Sequence, residues 1–137
     1  MDRNESKGTI LIVDDQENWY EALAQLFADY HVDMANNFDD ASQLIDKLEF
    51  DVVILDIRLV DRDEFNVEGL QLLKALRSKG AETGIVVLTG YPEVIQEKFL
   101  QKYKPDMLMR KSTTAQFNAD DFRESVEELI KRYRSMR

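Results

Sequence analysis

Three runs of apolar residues divide the chain, and each ends at a polar side chain. They cover residues 9–13, 52–55 and 85–88 and are rich in valine and isoleucine. Unbroken apolar runs of this length are typical of parallel strands that are buried on both faces. Residues 31–35 and 106–109 form two shorter strand candidates with a less regular pattern. The chain is therefore predicted to contain five strands.

Between these runs the apolar positions recur at helical spacing, which indicates amphipathic helices. The helical stretches cover residues 22–30, 38–48, 70–76, 94–103 and 122–133. Asn37 and Asn118 stand where N-caps belong, because acidic residues follow each of them in the expected first turn. Gly80 is predicted to end the third helix and Pro92 to start the fourth.

Strands that alternate with helices predict an α/β fold. Right-handed crossovers place the helices on both faces of a parallel sheet, so we expect a single doubly wound five-stranded parallel sheet covered on both sides. A length of 137 residues suits one domain. Its predicted range is 9–134, preceded by a disordered N-terminal segment at 1–8 and followed by a C-terminal tail at 135–137.

Charge and composition remove several classes of function. The 27 acidic and 18 basic residues leave a net charge of −9, which opposes binding to the phosphates of nucleic acid. The chain has no cysteine, so disulfides, thiolate metal sites and cysteine catalysis are excluded. Its apolar runs are too short to span a bilayer. We therefore expect a cytoplasmic protein that binds neither nucleic acid nor membrane.

Polar side chains collect where the predicted strands end. Asp14 and Asp15 follow the first strand and Asp56 follows the third. Thr89 comes directly after the fourth strand, and Lys111 follows the fifth. In an open α/β sheet, ligands bind beyond the carboxyl ends of the strands. Three carboxylates, one hydroxyl and one ammonium are therefore expected to converge at one edge of the sheet.

Three carboxylates at close range repel one another unless a cation neutralises them. A hard divalent ion with oxygen ligands, Mg²⁺ or Mn²⁺, suits such a set. Asp15 and Asp56 are predicted to be side-chain ligands of this ion. Asp14 is predicted to hold a metal-bound water, and the backbone carbonyl of Arg58 to supply a further oxygen.

With its charge balanced in this way, Asp56 is predicted to act as a nucleophile toward phosphorus. Lys111 would then pair with one phosphoryl oxygen, and Thr89 would donate a hydrogen bond to another. These three residues are the candidate phosphoacceptor and its two assisting groups.

At this point the chain resembles the receiver domain of two-component response regulators. The resemblance covers about residues 9–132 and is carried by Ile-Leu-Ile-Val-Asp-Asp at the first strand, Val-Val-Ile-Leu-Asp56 at the third, Val-Val-Leu-Thr89-Gly90 at the fourth, and Lys111. It implies a flavodoxin-like receiver fold with strand order 2-1-3-4-5. It also implies a Mg²⁺ requirement and a phosphoryl donor that is a histidine kinase or a histidine phosphotransfer protein.

The same resemblance implies a signalling switch rather than an enzyme, which assists its own phosphorylation and dephosphorylation. Output would pass through the surface of the fourth helix, fifth strand and fifth helix to an unidentified partner, and the same surface would permit a homodimer.

Three positions depart from the family pattern. Val60 stands where a proline is common, in a connection a few residues longer than usual, and Ser112 also replaces a usual proline. Leu108 occupies the position of an aromatic switch residue, so activation must use a different relay. These departures keep open the alternative of a degenerate receiver that binds a partner without being phosphorylated.

Two further classes fit the sequence less well. A nucleotide-binding doubly wound protein would need glycines in its first strand-to-helix turn, where this chain has acidic residues. An aspartate-nucleophile phosphatase would need a second acid two residues after Asp56, where Arg58 stands.

Overall fold

A computed structural model describes residues 7–57, 68–80, 82–90, 92–112 and 117–136 of the protein. Its strands form one parallel sheet in the order β2-β1-β3-β4-β5. The strands are β1 (Thr9–Val13), β2 (His31–Ala35), β3 (Val52–Leu55), β4 (Gly84–Thr89) and β5 (Met107–Arg110). The predicted fold class and strand order are therefore confirmed.

Helices alternate with these strands along the chain and cover both faces of the sheet. They are α1 (Glu17–Leu26), α2 (Phe38–Lys47), α3 (Glu68–Ser78), α4 (Glu97–Tyr103) and α5 (Ala119–Ser135). One core layer lies between the sheet and α2, α3 and α4, and the other lies between the sheet and α1 and α5. Successive residues of β1 point alternately into the two layers, which explains why its apolar run is unbroken.

The predicted helix signals are confirmed at three positions. Asn37 Oδ1 accepts a hydrogen bond from the Asp40 backbone N–H at 2.8 Å, and Asn118 Oδ1 accepts one from Asp121 N–H at 3.2 Å. Gly80 follows α3 with a φ of 71°, in the left-handed region that favours glycine. Both asparagines therefore cap their helices, and Gly80 ends α3.

Several boundaries differ from the sequence prediction. The first helix was predicted over residues 22–30, but α1 spans Glu17–Leu26, and Phe27 and Tyr30 pack in the core from the turn that follows it. Pro92 starts a 3₁₀ turn, Pro92–Val94, and α4 begins only at Glu97, because Gln96 has an extended backbone. β5 begins at Met107 rather than at 106, since the Asp106 carboxylate accepts a hydrogen bond from Ile85 N–H at 2.8 Å and closes the start of β4.

The start of the described chain lies against the sheet. Gly8 is buried, and its carbonyl accepts a hydrogen bond from His31 N–H at 3.0 Å. The predicted domain limits of 9 and 134 remain a prediction, since residues 1–6 and 137 lie outside the described part. Within that part, no helix has the length and apolar character needed to cross a membrane.

Candidate functional site

The backbone register of the sheet fixes the residues at its carboxyl edge. Asp56 N–H donates to the Val13 carbonyl at 2.9 Å, and Lys111 N–H donates to the Thr89 carbonyl at 2.8 Å. Asp14 N–H donates to Ala35 at 3.1 Å. Each bond continues the sheet ladder one residue past a strand end, so the side chains of this edge start from rigid positions.

The three predicted carboxylates come together at this edge. One oxygen each of Asp14, Asp15 and Asp56 lies within 4.8 Å of the others. Asp14 and Asp56 are buried, with 3% and 4% of their surface exposed, and Asp15 is half-buried. Asp56 Oδ1 has no hydrogen-bond partner within the described residues, although it is buried. A buried carboxylate oxygen in that state is costly unless a cation binds it, and this donor set therefore fits a hard divalent ion.

Lys111 crosses from the β5 side of the site to the carboxylates. Its Nζ lies 2.7 Å from Asp14 Oδ2 and 2.8 Å from Asp56 Oδ2. A third acceptor, Gln16 Oε1, lies at 2.8 Å. Since an ammonium has three N–H groups, each of them has an acceptor in this arrangement.

Burial disfavours the negatively charged form of the Asp14 carboxyl group. The pKa of Asp14 is raised from 3.8 to about 6, chiefly because burial disfavours the charged carboxylate. Lys111 opposes this rise, and the negative charge of Asp56 adds to it. One lysine therefore does not neutralise the pair of buried carboxylates, which leaves an electrostatic demand for a cation.

The other predicted site residues fall in different situations. Thr89 is fully buried at the last position of β4, beside Lys111. Arg58, predicted to offer its carbonyl, lies outside the described residues, as does Val60. Leu108 is 38% exposed on the edge strand β5. The structure thus brings Asp14, Asp15, Asp56, Thr89 and Lys111 to one edge, while their chemical roles remain predictions.

Sequence reasoning missed two residues of this site. Gln16 contacts Lys111 through its side-chain oxygen, and its backbone N–H donates to Asp14 Oδ1 at 3.0 Å. Gly69, in the first turn of α3, packs on the backbone directly after β3. A Cβ on Gly69 would lie 2.2 Å from the Asp56 carbonyl oxygen. A glycine inside an amphipathic helix is the one sequence signal that could have indicated this close approach.

Comparison with known proteins agrees with this geometry. The family model for the response regulator receiver domain matches residues 10–120. Regulatory protein AtoC of Escherichia coli (strain K12) is 37% identical over 87 residues, which are 62% of this chain and 18% of that protein. Transcriptional regulatory protein DltR of Streptococcus agalactiae serotype III (strain NEM316) is 40% identical over 83 residues, 59% of this chain and 35% of that protein.

A solved structure of similar shape is that of response regulator protein TrrA from Thermotoga maritima in complex with Mg(2+)-BeF. It superposes with a TM-score of 0.71 at 29% identity, covering 89% of this chain and 98% of that one. The aligned part of this chain spans well under half of AtoC and of DltR.

Proposed function

This chain belongs to the response regulator receiver domain family, and on that premise we propose that it accepts a phosphoryl group on Asp56. The donor would be a histidine kinase or a histidine phosphotransfer protein, and Mg²⁺ or Mn²⁺ would bind beside the acceptor. The phosphorylated domain would signal by changing conformation in the cytoplasm. The observation that carries the proposal is the difference between the two oxygens of the Asp56 carboxylate, of which only Oδ2 has a hydrogen-bond partner among the described residues.

The two oxygens of that carboxylate have different surroundings. Lys111 Nζ holds Oδ2 at 2.8 Å, whereas Oδ1 has no hydrogen-bond partner among the residues described. A carboxylate that is oriented through one oxygen and keeps lone pairs on the other is suited to nucleophilic attack. Most buried side-chain polar atoms in proteins have at least one hydrogen-bond partner, so the state of Oδ1 calls for a functional explanation.

The acidic cluster supports a metal requirement. Asp15 and Asp56 would be ligands, Asp14 would hold a bound water, and the Arg58 carbonyl would be a further ligand. A divalent cation, when bound, would neutralise the carboxylates and the incoming phosphoryl oxygens. The relative TrrA was solved with Mg(2+)-BeF, and fluoroberyllate has the tetrahedral shape of a phosphoryl group. That complex favours the same pairing of metal and anion here.

The chain's own residues would then have separate tasks. A carboxylate oxygen of Asp56 forms a bond to phosphorus while the bond from phosphorus to the donor breaks, and the donor leaves with that electron pair. The Lys111 ammonium moves its contact from Asp56 Oδ2 to a phosphoryl oxygen. The Thr89 hydroxyl donates to a second phosphoryl oxygen, and both contacts balance charge that develops during transfer.

Intact-mass measurement with acetyl phosphate tests the proposal. We expect a gain of one phosphoryl group that needs Mg²⁺ and disappears in Asp56→Asn, while Asp46→Asn, at an exposed position of α2, behaves as wild type. Acetyl phosphate and a competent histidine kinase that both fail to label the wild type would contradict the proposal and favour the degenerate binding module.

We further propose that output uses the surface formed by α4, β5 and α5, which would contact an output partner or a second copy of the chain. Of the charged residues on these elements, Arg123 and Glu127 bond each other at 3.1 Å, and Arg123 also bonds Asp29 at 2.8 Å. A dimer contact is therefore expected to use other side chains. Light scattering with and without fluoroberyllate tests for phosphorylation-dependent dimers, and an unchanged monomer mass would exclude them.

A further inference from the structure

The first turn of α1 surrounds the ammonium of Lys111. Gln16 Oε1 lies 2.8 Å from Nζ, and the ring of Trp19 lies with its centroid 5.3 Å from the same atom. Gln16 and Trp19 are three positions apart, which places them on one side of a helical turn. Two side chains at the start of α1 thus contact a lysine that follows the edge strand β5.

The position of Gln16 makes this contact distinctive. Gln16 is the N-cap residue of α1, yet its side chain makes no capping hydrogen bond. An N-cap side chain normally accepts from the free backbone N–H groups of the first turn. Here the side-chain oxygen accepts from Lys111 instead, while the backbone N–H of Gln16 donates to Asp14 Oδ1. The Gln16 side chain therefore binds Lys111 and does not cap α1.

The three acceptors around Lys111 differ in what phosphorylation does to them. Asp56 becomes the acylphosphate, and Asp14 is proposed to turn toward the metal's water. Gln16 is neutral and has no role in either change, so its oxygen remains available to Lys111 throughout. The contact to Gln16 can therefore stay in place while the ammonium replaces its contact to Asp56 Oδ2 with one to a phosphoryl oxygen.

Trp19 closes the other side of the ammonium. Its ring is buried, with 5% exposed, and packs edge-on against Phe117 at 5.3 Å between centroids. The Lys111 side chain is only 6% exposed as a result of these neighbours. A cation held over an indole face is attracted by the ring and has little contact with water.

From these contacts we infer that Gln16, supported by Trp19, is the positioning residue that holds the Lys111 ammonium in place for the phosphoryl group. The inference rests on the proposed function, because it describes how the lysine of that site is aimed. Gln16 acts through Lys111 and does not itself touch the transferred group.

The test compares Gln16→Met with Asn18→Ala. Methionine keeps the length of the side chain and removes the acceptor oxygen, and Asn18 is exposed in the same turn. Trp19 is the only tryptophan of the chain, so its fluorescence can follow titrations with Mg²⁺ alone and with beryllium fluoride at saturating Mg²⁺. For Gln16→Met we expect beryllium fluoride affinity to fall about 3- to 10-fold, as for loss of one hydrogen bond, with Mg²⁺ affinity nearly unchanged. Asn18→Ala should match the wild type in both titrations.

A second measurement needs no ligand. In ¹⁵N-detected NMR, a lysine ammonium with three fixed acceptors exchanges its protons slowly, so we expect a Lys111 Nζ signal that is lost or broadened in Gln16→Met. A purely structural role for Gln16 would lower stability and leave this signal and the ratio of the two affinities unchanged, which would overturn the inference. Wild-type protein that binds no beryllium fluoride would instead overturn the proposed function, and the ammonium signal would still decide whether Gln16 holds Lys111.

Discussion

The carboxyl edge of the sheet brings three carboxylates together with one ammonium. Asp14 and Asp56 are both buried and both bond the single ammonium of Lys111, while Asp15 adds a third carboxylate within 4.8 Å. Burial of like charges is retained in proteins where a ligand of opposite charge compensates it. Metal-free protein is therefore expected to be less stable than the same fold without one of these charges.

Asp14 gives this expectation a measurable form. Its pKa is raised on folding from 3.8 to about 6, so the folded chain holds this proton more tightly than the unfolded chain. The contribution of Asp14 to stability therefore declines as pH rises from about 4 to about 6, and the penalty is complete above that range. In Mg²⁺-free buffer at neutral pH, Asp14→Asn should raise the free energy of unfolding by about 1 to 3 kcal/mol.

Urea unfolding with a chelator, repeated across this pH range, checks that prediction. The variant should also show a flatter pH dependence and gain less stability from added Mg²⁺, since it binds the ion more weakly. A variant less stable than wild type at every pH would show that the bond to Lys111 outweighs the cost of burial.

Gly69 allows α3 to pack closely on the Asp56 backbone because it has no side chain. A Cβ there would lie 2.2 Å from the Asp56 carbonyl oxygen and 2.6 Å from Ile57 Cα, so α3 or the end of β3 must move. We expect Gly69→Ala to lower the free energy of unfolding by about 1 to 3 kcal/mol and to slow phosphorylation of Asp56. The matched control is Gly90→Ala, because a Cβ on Gly90 meets no atom within 4 Å. Equal stability of the two variants, measured by chemical denaturation, would contradict this.

Most of the acidic site could be predicted because its residues follow strands, and strand ends meet at one edge. Gln16 and Gly69 could not be predicted in the same way. Both act through distances between elements far apart in the chain, namely from α1 to Lys111 and from α3 to the Asp56 backbone. Local pattern does not give such distances: Gln16 resembles any polar residue before a helix, and the glycine within α3 indicates a close approach without showing which backbone it meets.

At the scale of elements, the central strands were the easiest to predict. β1, β3 and β4 are buried at every position and contain unbroken apolar runs because both of their faces are covered, which makes their pattern easy to recognise. β5 is an edge strand whose residues alternate between half-buried and exposed, and its start was misplaced by one residue. The start of α4 was also wrong, because Pro92 fits a 3₁₀ turn as well as the first turn of an α-helix.

The exposed face of β5 carries an arginine beside Leu108. Arg110 lies two positions after Leu108, on the same face of the strand. Its guanidinium donates to the Gly90 carbonyl at 3.1 Å and to Glu93 Oε2 at 2.8 Å. Arg110 therefore joins β5 to Gly90 and Glu93 in the connection that follows Thr89.

Loss of the Arg110 contacts to Gly90 and Glu93 should make the 3₁₀ turn at Pro92–Val94 open more often. In Arg110→Ala we expect amide exchange at Ile95, whose N–H donates to Pro92, to accelerate about 1.5- to 5-fold, as for loss of an exposed ion pair. Arg132→Ala is the control, since Arg132 is about as exposed and pairs with Asp106 at the other end of the sheet. Equal exchange rates at Ile95 in the two variants would show that Arg110 does not restrain the turn.

At the scale of the whole molecule, α5 is fastened near both of its ends. Toward its start, Arg123 donates to the Leu26 carbonyl and to Asp29 at the end of α1. The Arg123 guanidinium holds the pKa of Asp29 well below its usual range. Toward its end, Tyr133 donates to Asp106 at 2.9 Å. Any movement of α5 as one body must therefore break a polar cluster at one end or the other.

Asp106 is the centre of the second cluster. Its carboxylate accepts from Arg77 at 2.9 Å, from Ile85 N–H at 2.8 Å and from Tyr133, and its side chain is 11% exposed. Asp106→Ala leaves these donors without their acceptor, and we expect the free energy of unfolding to fall by about 2 to 5 kcal/mol. Asp46→Ala on the exposed face of α2 should change it by less than about 0.5 kcal/mol. Thermal or urea denaturation measures both changes. Similar losses of unfolding free energy in the two variants would show that Asp106 is not the centre of a stabilising cluster.

A hydrogen bond 2.9 Å long, from Gly69 N–H to the Ile57 carbonyl, joins the backbone directly after β3 to the first turn of α3. Because this bond and the packing of Gly69 hold Asp56 in place, the geometry of the site should depend little on the number of residues between Ile57 and Gly69. Insertions after Arg58 and before Glu68 are thus expected to leave Asp14, Asp15 and Asp56 in place, which makes this interval a place to insert an epitope or a reporter domain.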